Sequence, residues 1–199
     1  MMNDYRRLRN EFDENWRQFE RYCGEQYKDA ELRQRILHFA REHARELWPQ
    51  PDVQDVARSL AEMECVGDSE RARGQGLLPQ GDLCPLDPWV KSATAYLRRH
   101  FNLDFEQICQ DICRERKREL CQAVGLPPQW EDGEFEAVMR IIYQIRCNLV
   151  HGGKPQGLGD EQLARDRRLL ELGNIVLLRV LEQLRAYSAI PNLHRSTSM

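Results

Sequence analysis

Arg146 and His151 are the residues whose types and spacing most directly suggest a chemistry in this chain. A guanidinium binds phosphate oxygens through paired hydrogen bonds, and an imidazole can exchange a proton near neutral pH. Together, one arginine and one histidine are a minimal set of groups for cutting RNA without a metal ion. The pair therefore predicts a site near the end of the helix that the apolar pattern of residues 133–150 indicates.

The spacing alone is a weak signal. Only four of the 29 basic residues are Lys, so Arg is frequent and an Arg-x4-His pair arises easily by chance. A second pair, Arg33 and His38, lies within a continuing helical pattern, and we interpret it as core packing or surface. His151 differs because two glycines follow it, which suit a left-handed helix C-cap. A histidine in the last helical turn is favoured in its protonated form by the helix dipole.

Apolar residues recur every three or four positions along most of the chain, which predicts helices and no strands. The expected fold is all-α, an antiparallel helical bundle with an N-terminal helical extension. We predict an N-terminal helical region at 1–65, a Gly/Pro-rich loop or linker at 66–88, a bundle at 89–190 and a flexible tail at 191–199.

The predicted helix geometry separates the two candidate groups. At 100° per residue, Arg146 and His151 point about 140° apart. The arc between them carries Tyr143, Cys147 and Val150. A second helix packed on this arc would have the side chains of Arg146 and His151 along its two edges. If that helix were the same helix of a symmetry-related chain, the cleft would contain two arginines and two histidines. The geometry therefore predicts a homodimer.

Bulk properties narrow the functional classes. The net charge of −3 excludes a strongly basic coat, so contacts to phosphates would come from local basic runs at 98–100, 114–118 and 165–168, or from Lys154. For any one of these runs, a solvated helix face is the more common interpretation. The chain shows no signal peptide and no membrane-spanning stretch, which favours a cytoplasmic protein. Its seven irregularly spaced cysteines predict reduced thiols, with no metal and no cofactor.

Residues 145–154 resemble the motif of the HEPN superfamily of helical domains. The resemblance rests on Arg146, Asn148, His151 and Gly152, and Gly153-Lys154 extends it. It is closest to the Apea-like HEPN proteins of prokaryotic defence and toxin systems. The first gap residue in that family is usually polar, whereas this chain has Cys147. The resemblance covers roughly residues 90–190 and does not explain the first 65.

The resemblance implies a metal-independent endoribonuclease that acts as a dimer and leaves 2′,3′-cyclic phosphate and 5′-hydroxyl ends. His151 would transfer a proton, Arg146 would stabilise charge on the pentacoordinate phosphate, and Asn148 would orient the phosphate. The implied partners are RNA, a second copy of the chain, and a neutralising antitoxin or defence-system protein.

Four further residues are candidate substrate contacts. Arg167 and Asn174 are polar positions on an apolar stripe of the last helix, where they need partners that the site could supply. A boundary position near solvent explains them equally well. Tyr143 and Lys154 flank the Arg146–His151 pair. Two alternatives remain open: a non-catalytic HEPN-like module that dimerises or binds RNA or a partner, and a helical adaptor protein in which the motif is accidental.

Overall fold

Six helices make up the part of the chain that the structure, a computed structural model, describes: residues 2–63, 88–103, 133–151 and 160–188. They are α1 (Met2–Gln26), α2 (Leu32–Leu47), α3 (Pro51–Glu62), α4 (Pro88–His100), α5 (Gly133–His151) and α6 (Asp160–Ser188). The described residues contain no strand, and the prediction of an all-α helical bundle is confirmed.

The apolar stripes predicted from the sequence face the core. The stripe of α1 is entirely buried: Tyr5, Leu8, Phe12, Trp16, Phe19 and Cys23. Pro51 occupies the first turn of α3, where its missing N–H is tolerated, and the Asp52 carboxylate accepts the N–H of Val53 at 3.1 Å. Local sequence signals and burial therefore agree on where these helices lie.

The helices are neighbours in a closed ring rather than in chain order. Helix α6 packs along α1 and α3, and α5 packs along α2 and α4. The contacts of α1 with α2 and of α3 with α4 close the ring. The three N-terminal helices are thus interleaved with the three later ones, and all six share one hydrophobic core.

Large aromatic side chains fill this core, and burying each one contributes on the order of 1.5–3 kcal/mol. Phe12, Trp16 and Phe19 of α1 are fully buried together with Phe39 of α2. Gly173 of α6 permits the close approach of α1, because a Cβ added there would lie 2.5 Å from Cε2 of Phe12. No helix in the described ranges combines the length and apolarity needed to cross a bilayer.

A buried ion-pair network fixes α5 against α2. Glu136 is only 1% exposed, and its carboxylate accepts hydrogen bonds from Nε of Arg140 at 3.1 Å and Nε of Arg41 at 3.0 Å. A buried carboxylate needs such partners, because its desolvation is otherwise unfavourable. The network holds the two helices in register two to three turns before Arg146.

Arg98 was a candidate phosphate contact in the sequence, and the structure shows that this interpretation is wrong. Its side chain is fully buried and donates hydrogen bonds to the carbonyl oxygens of Ala61 and Met63, both at 2.8 Å. These carbonyls lie at the C-terminal end of α3, where they have no partners within the helix. Arg98 therefore caps α3 and ties it to α4. The candidate run at 114–118 lies outside the described residues.

Candidate functional site

The buried stripe of α5 positions Arg146 at the edge of the core. Phe135, Val138, Ile142 and Ile145 of this stripe are buried. Arg146 follows directly, turned by about 100°, and its side chain is 28% exposed. His151 is the last residue of α5, while its side chain, like Lys154, lies outside the described residues. Arg146 can therefore reach solvent, on the same helix that carries His151.

The guanidinium of Arg146 faces a carboxylate of α1. Its Nη2 lies 4.0 Å from Oε2 of Glu20, which is itself 35% exposed. The same Glu20 oxygen accepts a hydrogen bond from the indole Nε1 of Trp16 at 2.9 Å. Because the Trp16 ring is buried, it anchors the carboxylate beside the arginine. The position of Arg146 is thus one that already accommodates an oxyanion.

Tyr143 lies one turn before Arg146 and contacts two other helices. Its ring centroid is 6.0 Å from that of Trp16 on α1, and Cζ of Arg33 on α2 lies 5.8 Å from the ring centroid. Burial, together with Cys147, raises the pKa of the Tyr143 phenol, and Arg33 offsets this in part. The phenol is therefore protonated at neutral pH.

These contacts occupy part of the arc between Arg146 and His151. At Tyr143, the helices that cover α5 are α1 and α2 of the same chain. Cys147, one turn later, is half-buried, and the side chain of Val150 lies outside the described residues. Any second copy would have to approach α5 beyond Tyr143, toward the His151 end.

Asn148 does not lie beside Arg146. Two helical positions separate them by about 200°, so they point to opposite sides of α5. The side-chain oxygen Oδ1 of Asn148 accepts a hydrogen bond from Nε2 of Gln144 at 2.8 Å. A phosphate held by Arg146 would therefore need Asn148 from another copy of the chain if both were to touch it.

Arg167 and Asn174, two candidate substrate contacts, are found on the seam between α6 and α1. Arg167 forms ion pairs with Asp4 at 2.9 Å and with Glu171 at 3.0 Å. Asn174 is buried, accepts a hydrogen bond from Asn15 at 3.0 Å and donates one to the Leu8 carbonyl at 3.3 Å. The polar partners that these positions required come from α1, and these contacts do not bring them to Arg146.

Three site residues were missed in the sequence: Trp16, Glu20 and Arg33. Arg33 belongs to the Arg33–His38 pair that was interpreted as packing or surface, and it is the arginine of α2 that covers Tyr143. A sequence signal existed for Trp16 and Glu20, which are four residues apart and so share one helix face. No local pattern relates that face to α5, because the three helices meet only through the tertiary fold.

Within residues 2–63, 88–103, 133–151 and 160–188, no three His, Cys, Asp or Glu side chains converge as the ligands of a metal ion would.

No family model, no characterised protein and no solved structure matches this chain. The resemblance to HEPN proteins therefore rests on residues 145–154 and on the helical pattern around them.

Proposed function

We propose that this protein is a metal-independent endoribonuclease of the HEPN type. The observation that carries the proposal is the placement of Arg146. Its guanidinium is partly exposed, faces an oxyanion at 4.0 Å, and is borne by the helix whose last residue is His151. Arginine is suited to bind and stabilise a phosphate in this position, and histidine is suited to move its proton.

In the proposed reaction a ribose 2′-oxygen attacks the adjacent phosphorus. The new P–O2′ bond forms as the P–O5′ bond breaks, and the 2′-hydroxyl proton leaves as the 5′-oxygen gains one. His151 transfers one of these protons, and Arg146 stabilises the added negative charge on the phosphate. Asn148 orients the phosphate. The products are a 2′,3′-cyclic phosphate and a 5′-hydroxyl.

The proposal includes a homodimer, because the angles around α5 disfavour a site built from one helix. Arg146 lies about 140° from His151 and about 200° from Asn148. A two-fold copy packed at the His151 end of α5 would place the arginine of one chain near the histidine and asparagine of the other. We further propose a cytoplasmic role in toxin–antitoxin or antiphage defence, with a neutralising protein as partner.

A second candidate is a non-catalytic HEPN-like module that binds RNA or a protein. The contacts that favour it are those that satisfy the motif residues within the chain: Glu20 lies beside Arg146, and Gln144 donates to Asn148. Both candidate functions use the same surface, so they are distinguished only by whether the protein cleaves RNA.

The test incubates the purified full chain with single-stranded RNA in excess EDTA and determines the end groups of the products. We expect cyclic phosphate ends, and a loss of about 10²-fold or more in rate for Arg146→Ala and for His151→Ala. His38→Ala is the matched control, because it removes the histidine of the other Arg-x4-His pair. Cleavage that stops in EDTA, or that survives intact in His151→Ala, contradicts the mechanism.

Mixing the two inactive variants tests the dimer. If each site takes Arg146 from one copy and His151 from the other, a mixed dimer retains one intact site. About one quarter of the wild-type activity then returns in an equimolar mixture. A site contained in one chain gives no recovery, which would contradict the composite site.

A further inference from the structure

Arg33 is the residue of α2 nearest to the α5 site among the described contacts. It is the second residue of α2 and its side chain is exposed. Its Cζ atom lies 5.8 Å from the centroid of the Tyr143 ring, within the range of a cation–π contact. Arg33 therefore contacts the ring of Tyr143 at an exposed position of the surface.

Arg33 and Arg146 approach the same tyrosine from two helices. Arg146 is three residues after Tyr143, so the two side chains leave α5 on neighbouring positions one turn apart, about 5–6 Å between Cβ atoms. Two guanidinium groups, one on α2 and one on α5, therefore flank one half-buried ring. Glu20 of α1 faces Arg146 on this surface.

Buried contacts anchor the two helices that carry these arginines. Ile36 and Phe39 of α2 are fully buried, and the ring of Phe39 packs edge-on against Phe19 of α1 at 4.9 Å. The Arg41–Glu136 ion pair fastens α2 to α5 two turns beyond Arg33. The helices that carry the two arginines are thus held against each other by buried contacts, as is needed for groups that bind one strand together.

We propose that Arg33 binds the RNA phosphate next to the one held by Arg146. This inference rests on the proposed function, since it names a further substrate contact of the same site. Arg33 binds substrate and takes no part in proton transfer. Its loss therefore weakens RNA binding and raises KM, while kcat at saturating RNA stays close to that of the wild type.

The experiment measures the affinity of a short single-stranded RNA between about 50 and 200 mM salt, in His151→Ala so that the RNA stays intact. Arg33→Met removes the charge and keeps an unbranched side chain over Tyr143, and Arg33→Lys restores a charge. Arg45→Ala is the matched control, an exposed arginine twelve residues along the same helix, about 18 Å away.

We expect Arg33→Met to reduce the slope of log affinity against log salt by about 0.7, the value for one phosphate contact on a single strand. Arg33→Lys and Arg45→Ala should keep the wild-type slope. An Arg33→Met slope equal to that of Arg45→Ala overturns the inference. If His151-dependent cleavage persists in that case, the proposed function stands without Arg33. If the wild type neither binds nor cleaves RNA, the proposed function fails and the inference fails with it.

Discussion

The N-terminal helix α1 meets the later part of the chain at two places of different character. It packs along α6, and the side chains of Trp16 and Glu20 reach Tyr143 and Arg146 of α5. These two places are the α6 seam and the α5 seam. The seam with α6 is closed: Gly173 admits Phe12, and Asn174 is buried with both its hydrogen bonds to α1. The seam with α5 is partly open, and its polar groups, Glu20 and Arg146, stay in contact with water. The first seam uses polar residues to hold the fold, whereas the second leaves them available to an external ligand.

The burial of a polar residue, more than its type, indicates whether it stabilises the fold or is available to a ligand. An amide that is desolvated and fully bonded contributes to stability and has little capacity left for a substrate. An exposed ion pair contributes little to stability, so its members can exchange partners at small energetic expense. Variants of the α6 seam should therefore change stability, and variants of the α5 seam should change binding.

The largest effect is expected at Gly173. Gly173→Ala places a Cβ against the buried ring of Phe12, and we expect the free energy of unfolding to fall by about 1–3 kcal/mol through overpacking. Gly24→Ala is the control: the nearest atom to its added Cβ is the end of the flexible Arg35 side chain at 3.4 Å. There the higher helix propensity of Ala should raise stability by up to about 1 kcal/mol. Denaturant unfolding measures both, and equal signs would contradict the packing argument.

Asn174→Ala should lower the free energy of unfolding by about 1–3 kcal/mol, because it removes two hydrogen bonds and leaves the Asn15 amide without this acceptor. RNA cleavage by the folded protein should remain unchanged. A double-mutant cycle with Asn15→Ala isolates the pair. If Asn174→Ala is stable and loses cleavage, the α6 seam belongs to the functional site after all.

The two described cysteines differ in burial, and one of them, Cys147, lies next to Arg146. Cys23 of α1 is buried, and burial raises the pKa of its thiol to about 12, so almost no thiolate forms at pH 8. Cys147 of α5 is half-buried and should be alkylated at least tenfold faster at that pH, as followed by peptide mass spectrometry. Bound RNA should slow the reaction of Cys147. The rate at Cys23 should rise about tenfold for each unit of pH below 12, because its thiolate is the minor form throughout that range.

The smallest effect is expected at Glu20. Glu20→Gln keeps an oxygen for the Trp16 indole and removes one negative charge from beside Arg146. Because the pair is solvent-accessible, stability should change by less than about 1 kcal/mol. RNA affinity at low salt should rise by about twofold, because the substitution removes the solvent-screened repulsion between one carboxylate and a phosphate held near Arg146. A fall in affinity would mean that Glu20 holds Arg146 in its binding geometry.

The positions of the helices could be predicted from the sequence, but the pairs of helices that pack together could not. Spacing identified the buried face of α1 and the stripe of α5 that ends beside Arg146, because periodicity depends only on local geometry. Spacing could not identify which helices pack against each other. The ring order, with α1 against α6, is therefore known only from the structure. The same reason explains Asn174: its need for a partner was predicted, and the identity of that partner is a tertiary property.

The two Arg-x4-His pairs illustrate this limit. The apolar neighbours of Arg33 and His38 in the sequence indicated core packing or surface for both. His38 is stacked on Tyr27, with 5.7 Å between the ring centroids. Arg33, five residues earlier, turns toward Tyr143. One motif thus has its two members in different environments, which its spacing could not indicate. The activity of Arg146 and His151 stays a prediction.

The ring order also bears on how the protein is made. The hydrogen bond between Asn15 and Asn174 joins residues 159 positions apart. During synthesis, which proceeds from the N-terminus, the apolar stripe of α1 must wait for α6 to leave the ribosome before it is covered. If the chain is the toxic nuclease we propose, an incomplete nascent chain would lack the packed α1 that carries Glu20 and Trp16. The emergence of α6 from the ribosome would then be the earliest point at which the activity we propose could begin.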